Sequence, residues 1–142
     1  MINRKGKAVW NGSVLKGKGN IWLANGSVKM DYSFTSRFEN GNGTNPEELI
    51  AGAHAGCFSM ALSSILGKAG FTPEQITTTA QVGIDKEGDG FRIKTIKLIT
   101  EAKVPGISND DFQKHAMSAK TGCPVSVALA NVPSIELEAK LI

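Results

Sequence analysis

Residues 44–71 read TNPEELIAGAHAGCFSMALSSILGKAGF, and the fold turns on them. They predict one long helix. Asn45 is a good N-cap, because its side chain can accept from a free backbone N–H, and Pro46 suits the first helical position. Glu47 and Glu48 set negative charge against the positive end of the helix. Glu48 follows Asn45 by three residues, the spacing of a capping box. Gly70 is a C-terminal stop, and Thr72-Pro73 cannot continue the helix. No Asp, Glu, Lys or Arg occurs from Leu49 to Leu66, and the face opposite the large apolar residues carries Ala, Gly and Ser. A helix without a polar face is expected to be buried all round. In its middle sits Cys57, with Ala53, Gly56 and Ala61 about it and His54 one turn earlier.

The frame around this helix is ordinary. The chain has 142 residues, the length of a single domain (1–142) with a real core. Its residues are 41% apolar and 20% charged, the balance of a soluble globular protein. A net charge of +3 with scattered lysines gives no ground to expect nucleic acid as a partner. The uncharged run approaches membrane-spanning length, but its Gly, Ala, Ser and His make it too weakly hydrophobic to insert; we expect a core helix and no membrane partner. The N-terminus is polar and basic with no apolar run behind it, so no secretory signal is expected and the location is expected to be cytoplasmic. Two cysteines in such a chain suggest free, metal-binding or catalytic thiols before a structural disulfide.

The remaining segments predict an α+β fold. Lys7–Trp10, Asn20–Ala24 and Val28–Phe34 form an N-terminal β-meander, with Asn25-Gly26 as a hairpin turn. Trp10 and Trp22 are expected as core or interface anchors. Ser36–Gly43, SRFENGNG, is expected as a polar loop carrying Arg37, with Phe38 pinning it. Gln75–Asp85 and Phe91–Val104 are strands of an antiparallel sheet. The inward set of the second changes parity, from Phe91 and Ile93 to Ile96, Leu98, Ala102 and Val104, which predicts a bulge near Thr95. Ser108 caps a second helix with an apolar stripe of Phe112, His115, Ala116 and Ala119. Pro124 fits the first position of a short helix, making Cys123 its cap. Ile135–Leu141 alternates apolar and charged residues and closes the sheet.

Chemistry centres on the two thiols. Cys123, at a helix start, is placed to have a lowered pKa. Cys57, mid-helix in apolar surroundings, is not. In one reading Cys57 is a small hydrophobe and Cys123 a cap. In the other an external cation activates Cys57, Cys123 is its resolving partner, and Arg37 is the candidate cation. A Cys2His2 metal site from His54, Cys57, His115 and Cys123 lacks the short paired spacings of zinc ligands, and no metal is expected.

The stretch RFENGNGTNPEELIAGAHAGCFSMALSSILGKAGF, with GCPVSVAL further on, resembles the OsmC/Ohr family of thiol peroxidases, and the osmotically inducible branch more than the organic hydroperoxide resistance branch. The similarity runs over essentially the whole chain. It implies Cys57 as the reactive cysteine, Cys123 as the resolving one, and Arg37 and Glu47 as the family's arginine and glutamate. It also implies reduction of organic and lipid hydroperoxides, with hydrogen peroxide a poorer substrate. No bound cofactor is implied; the reductant is an external dithiol, in some members a lipoylated protein. An interwoven homodimer with active sites at the subunit interface follows as well.

The mechanism can be written from physical chemistry. A Cys57 thiolate attacks the distal peroxide oxygen and becomes a sulfenic acid. Cys123 attacks that sulfur and closes a disulfide, which requires the two Cα atoms within about 7 Å. Arg37 holds the thiolate and steadies the departing alkoxide, and Glu47 orients Arg37 through a bidentate pair. Phe38, Phe58, Met60 and Leu62 are candidates for an apolar lining that favours alkyl hydroperoxides. Glu47 and Cys57, ten residues apart on one helix, are separated by roughly 15 Å along its axis. Either Glu47 serves a partner chain's site, or the helix bends at Gly52 or Gly56. The alternative function is a non-catalytic, dimeric carrier of small apolar ligands with merely buried thiols.

Overall fold

The computed structural model describes all of residues 1–142, in two compact units, Met1–Leu49 and Ile50–Ile142.

The first unit is the expected meander. Strands β1 (Lys7–Asn11), β2 (Lys18–Leu23) and β3 (Val28–Ser33) form an antiparallel sheet in the order β1-β2-β3. Between β2 and β3, Ala24 and Asn25 both take positive φ, the backbone a tight hairpin needs. Trp10 packs against Tyr32 with ring centroids 5.2 Å apart. Trp22 carries Lys7 and Lys29 over its ring. After β3 the chain makes one helical turn, α1 (Phe34–Phe38), where the polar composition predicts a loop. The reason is local: the Ser36 N–H donates to the Ser33 Oγ and the Ser33 N–H donates to the Ser36 Oγ, a reciprocal cap built from two serines. Gly43 then turns the chain at φ +117°, where a Cβ would lie 2.6 Å from the Asp31 carbonyl oxygen; only glycine fits.

Helix α2 (Pro46–Lys68) starts at the end of this unit and becomes the central helix of the second. Its N-terminus is capped as the sequence predicts, with the Glu48 N–H donating to the Asn45 Oδ1 at 2.9 Å. It runs as one continuous helix through Gly52 and Gly56, the two positions named as possible hinges. Burial is one-sided and not all round. His54, Phe58, Leu62 and Leu66, four residues apart each time, are closed off, whereas Gly52, Ala53, Gly56, Met60, Ser63 and Gly67 are exposed. The chain supplies packing partners for one face only.

Those partners are a second sheet and helix α3. Strands β4 (Gln75–Glu87) and β5 (Gly90–Lys103) pair antiparallel. Gly83 faces Thr95 but Ile84 faces Ile93, leaving Lys94 as the extra residue of the expected bulge. Beyond the bulge, Ile96, Leu98, Thr100 and Ala102 point inward. Helix α3 (Asn109–Gly122), capped by Ser108, adds Phe112, Ala116 and Ala119. Leu98 and Ala102 of β5, Phe112, Ala116 and Ala119 of α3, and Phe58, Leu62 and Leu66 of α2 form one apolar core. A hydroxyl ladder ties the helix to the sheet, from Ser59 to Thr78 at 2.8 Å and on to Thr100 at 2.9 Å.

The last strand corrects the expected antiparallel sheet. β6 (Ser134–Leu141) lies parallel to β5, with Ile96 facing Ile135 and Leu98 facing Leu137. Between them α3 and the short α4 (Pro124–Ala128) form a crossover, which returns the chain in the direction it left.

Candidate active site

In the first unit the turn at Ser33 and the cap at Asn45 converge. The Ser36 Oγ donates to the Thr44 carbonyl at 2.7 Å, and the Asn45 Nδ2 donates to the Ser36 carbonyl at 3.0 Å. These bonds tie α1 to the start of α2 and bring Arg37 to Glu47. The Arg37 Nη2 donates to the Glu47 Oε1 at 2.8 Å and the Nε to the Oε2 at 3.2 Å, a two-point fork of the expected kind. Glu47 is buried, while about a third of the Arg37 side chain remains open to solvent (37%). Its guanidinium also lies 5.1 Å from the Phe38 ring, which packs on Phe34. A cavity of about 210 Å³ opens beside Arg37, walled by Trp10, Tyr32, Phe34 and Phe38. Of the four residues expected to line an apolar pocket, only Phe38 lines this one. Phe58 and Leu62 are sealed in the core, and Met60 is exposed.

The second unit holds both thiols. Cys57 projects from the middle of α2 and is partly exposed, whereas Cys123 is 0% exposed. They lie close enough to influence each other's acidity through their side chains. Cys123 caps α4 as the sequence predicts: the Ser126 N–H donates to its Sγ at 3.3 Å, and Pro124 occupies the first helical position. The cysteine Sγ–H in turn donates to the Ser126 Oγ at 3.3 Å.

The two thiols differ in acidity for definable reasons. Burial pushes the Cys57 thiol up, the Val125 N–H opposes this, and the neighbouring Cys123 adds to the rise. Burial also acts on Cys123, but the Ser126 hydroxyl and N–H, the Cys57 thiol and the Val125 N–H together outweigh it and hold Cys123 below an ordinary thiol. Cys57 is thus the thiol a solute can reach, and the less acidic of the two.

Ser126 is a member of this site that the sequence reading does not single out. A signal for it exists: three residues after a capping cysteine is the position whose N–H a cap receives. His54, also buried at 0% exposure, joins the same cluster, with its Nε2 2.7 Å from the Ser126 Oγ. Burial lowers the pKa of His54. No group of three or more His, Cys, Asp or Glu side chains gathers as a metal site, and His115 lies half-buried on α3.

A reachable thiol beside a buried, hydrogen-bonded one is the arrangement that dithiol chemistry would require. Comparison with known proteins gives the family. A family model described as OsmC-like protein matches residues 39–138. Peroxiredoxin OsmC of Escherichia coli (strain K12) is 48% identical over 140 residues, covering 98% of each chain. Among solved structures, the organic hydroperoxide resistance protein OhrB of Bacillus subtilis superposes with a TM-score of 0.71 at 22% identity, covering 97% of this chain and 98% of that one. An OsmC-like protein from Mycoplasma pneumoniae gives 0.78 at 15% identity, covering 99% and 98%. The chain belongs to the OsmC-like protein family. With its nearly full-length likeness to a peroxiredoxin, it is a peroxiredoxin-like peroxidase of that family.

Proposed function

We propose that the chain reduces organic hydroperoxides, alkyl and lipid, to alcohols, with hydrogen peroxide a poorer substrate. The observation that carries the reading is the thiol pair: Cys57 is partly open to a solute, and Cys123, close enough to affect its acidity, is sealed from it. The Cys57 thiolate attacks the distal oxygen of ROOH. The O–O bond breaks, Cys57 becomes a sulfenic acid, and the alkoxide leaves and takes a proton as ROH. Cys123 then closes the disulfide with loss of water, and an external dithiol, a lipoylated protein being one such carrier, restores both thiols.

Arg37 supplies the positive charge that Cys57 lacks, and Glu47 aims it. Because α2 is unbroken and Glu47 precedes Cys57 by about 15 Å of helix, we place the pair in the site of a second copy of the chain. A homodimer also accounts for the uncharged, exposed face of α2, which a solvated helix would cover with Lys and Glu. The aromatic cavity beside Arg37 would hold the alkyl group, which distinguishes organic substrates from hydrogen peroxide by burial. A dithiol-recycled enzyme of this kind belongs in the reducing cytoplasm.

The test is consumption of tert-butyl hydroperoxide and of hydrogen peroxide with dithiothreitol as reductant. Cys57→Ser is expected to abolish turnover, and the native protein to favour the organic substrate. Unchanged peroxide loss in Cys57→Ser would refute the reading and leave a ligand carrier in its place.

A further inference from the structure

His54 is a buried histidine that the peroxidase reading does not use. Its Nδ1 has no hydrogen-bond partner in the chain, so the ring is held through its Nε2 alone. Buried polar side chains are nearly always paired at both ends, and a histidine half-satisfied in a core is costly if all it does is fill space. Its one partner is Ser126, and the other partner of the Ser126 hydroxyl is the Cys123 sulfur. Three groups therefore stand in a chain, with contacts of 3.3 Å and 2.7 Å, running inward from the resolving thiol.

We propose that Ser126 and His54 form a proton relay for Cys123, and that the relay drives the disulfide-forming step. The Cys123 Sγ–H donates to the Ser126 Oγ, which leaves the serine's own proton directed to the His54 Nε2. As Cys123 attacks the Cys57 sulfenic acid, its proton passes to Ser126 and the serine proton to His54. The S–S bond forms, the S–O bond breaks, and the departing hydroxide leaves as water with the proton that His54 returns through Ser126. Cys123 is oxidised and the sulfenic sulfur reduced, so no other redox partner enters this step. The new thiolate is steadied by the Ser126 N–H. Burial keeps the imidazole neutral and able to accept.

The same relay suits the return step. Cys57 is the exposed sulfur, so a dithiol reductant attacks there and Cys123 departs as the leaving thiolate. A leaving thiolate of lower pKa departs faster. His54, by way of Ser126, then returns the proton. Ser126 touches a reacting atom and is catalytic in this scheme; His54 acts through it and is a positioning residue. The assignment rests on the peroxidase reading of Cys57 and Cys123.

The test is quenched-flow reaction of the reduced protein with tert-butyl hydroperoxide, following sulfenic acid and intramolecular disulfide separately by intact mass. His54→Gln keeps a hydrogen-bonding side chain that cannot take a proton. Ser126→Ala removes the middle of the relay, and Ser126→Thr restores its hydroxyl. At neutral pH, disulfide closure should slow about tenfold or more relative to sulfenic acid formation in His54→Gln and Ser126→Ala, because an ordinary thiol is only a few per cent thiolate there. Ser126→Thr should recover most of the loss. Equal slowing of both steps, or native closure in a folded variant, overturns the relay. If His54→Gln does not fold, the two Ser126 variants decide. A native protein that forms no sulfenic acid refutes the peroxidase reading itself, whereas closure indifferent to His54 and Ser126 refutes only the relay.

Discussion

Cys57 and Cys123 lie close enough for each to shift the other's acidity, yet one sulfur is partly exposed and the other has no exposed surface. That asymmetry suits the proposed division of labour: attack needs access, and resolution needs proximity and a ready thiolate. Cys123→Ser should therefore react with hydroperoxide about once and then stall when no external thiol is supplied. Mass spectrometry of the stalled protein should find oxidation at Cys57 rising to the sulfinic acid in excess peroxide, since no disulfide intercepts it.

The acidity of Cys57 tests the role proposed for Arg37. Burial raises the Cys57 pKa, which lowers its thiolate fraction at neutral pH; a guanidinium at the sulfur acts in the opposite direction. Alkylation of Cys57 followed against pH should give an apparent pKa about one unit or more higher in Arg37→Gln than in the native protein. An unchanged profile would remove Arg37 from the site.

Glu47 is expected to act through Arg37 alone. Glu47→Gln leaves one neutral acceptor in place of the two-point fork, so Arg37 loses its fixed direction. The kcat/KM for tert-butyl hydroperoxide should fall about tenfold, a loss of about 1.4 kcal/mol of transition-state stabilisation. Glu47→Gln combined with Arg37→Gln should be no worse than Arg37→Gln alone.

Stability should depend on pH through His54. The buried ring has a lowered pKa, so the unfolded chain binds the proton that the folded chain refuses. The contribution is complete above the unfolded value of about 6.5 and is lost as pH falls below it. Urea denaturation against pH should show this loss in the native protein and its absence in His54→Gln.

Leu62 tests the core reading. It is fully closed among α2, β5 and α3, and no part of it faces a substrate cavity. Leu62→Ala should cost about 2–5 kcal/mol in urea denaturation. An effect on substrate choice with little loss of stability would return Leu62 to the pocket.

Much of the fold is legible in the amino-acid sequence where the cause is local. The caps at Asn45, Ser108 and Cys123 announce themselves by residue type and spacing, because a cap is a local hydrogen bond. The bulge opposite Gly83 shows as a change of parity in β5. Features set at a distance are not legible in the same way. The direction of β6 depends on how α3 and α4 cross, and its alternation reads the same either way. The helical turn at Arg37 is hidden because two serines capping each other resemble a polar loop. The open face of α2 reads as buried because lack of charge says that a face will be covered, not that its own chain covers it. Ser126 and His54 are 72 residues apart, and only the fold joins them.

The most direct measurement is a peptide map of the reduced protein treated with one equivalent of tert-butyl hydroperoxide and then alkylated under denaturing conditions. The account predicts a single cross-linked peptide joining Cys57 to Cys123, with neither thiol left to alkylate. Recovery of both cysteines as alkylated thiols, or oxidation confined to Cys123, would contradict it.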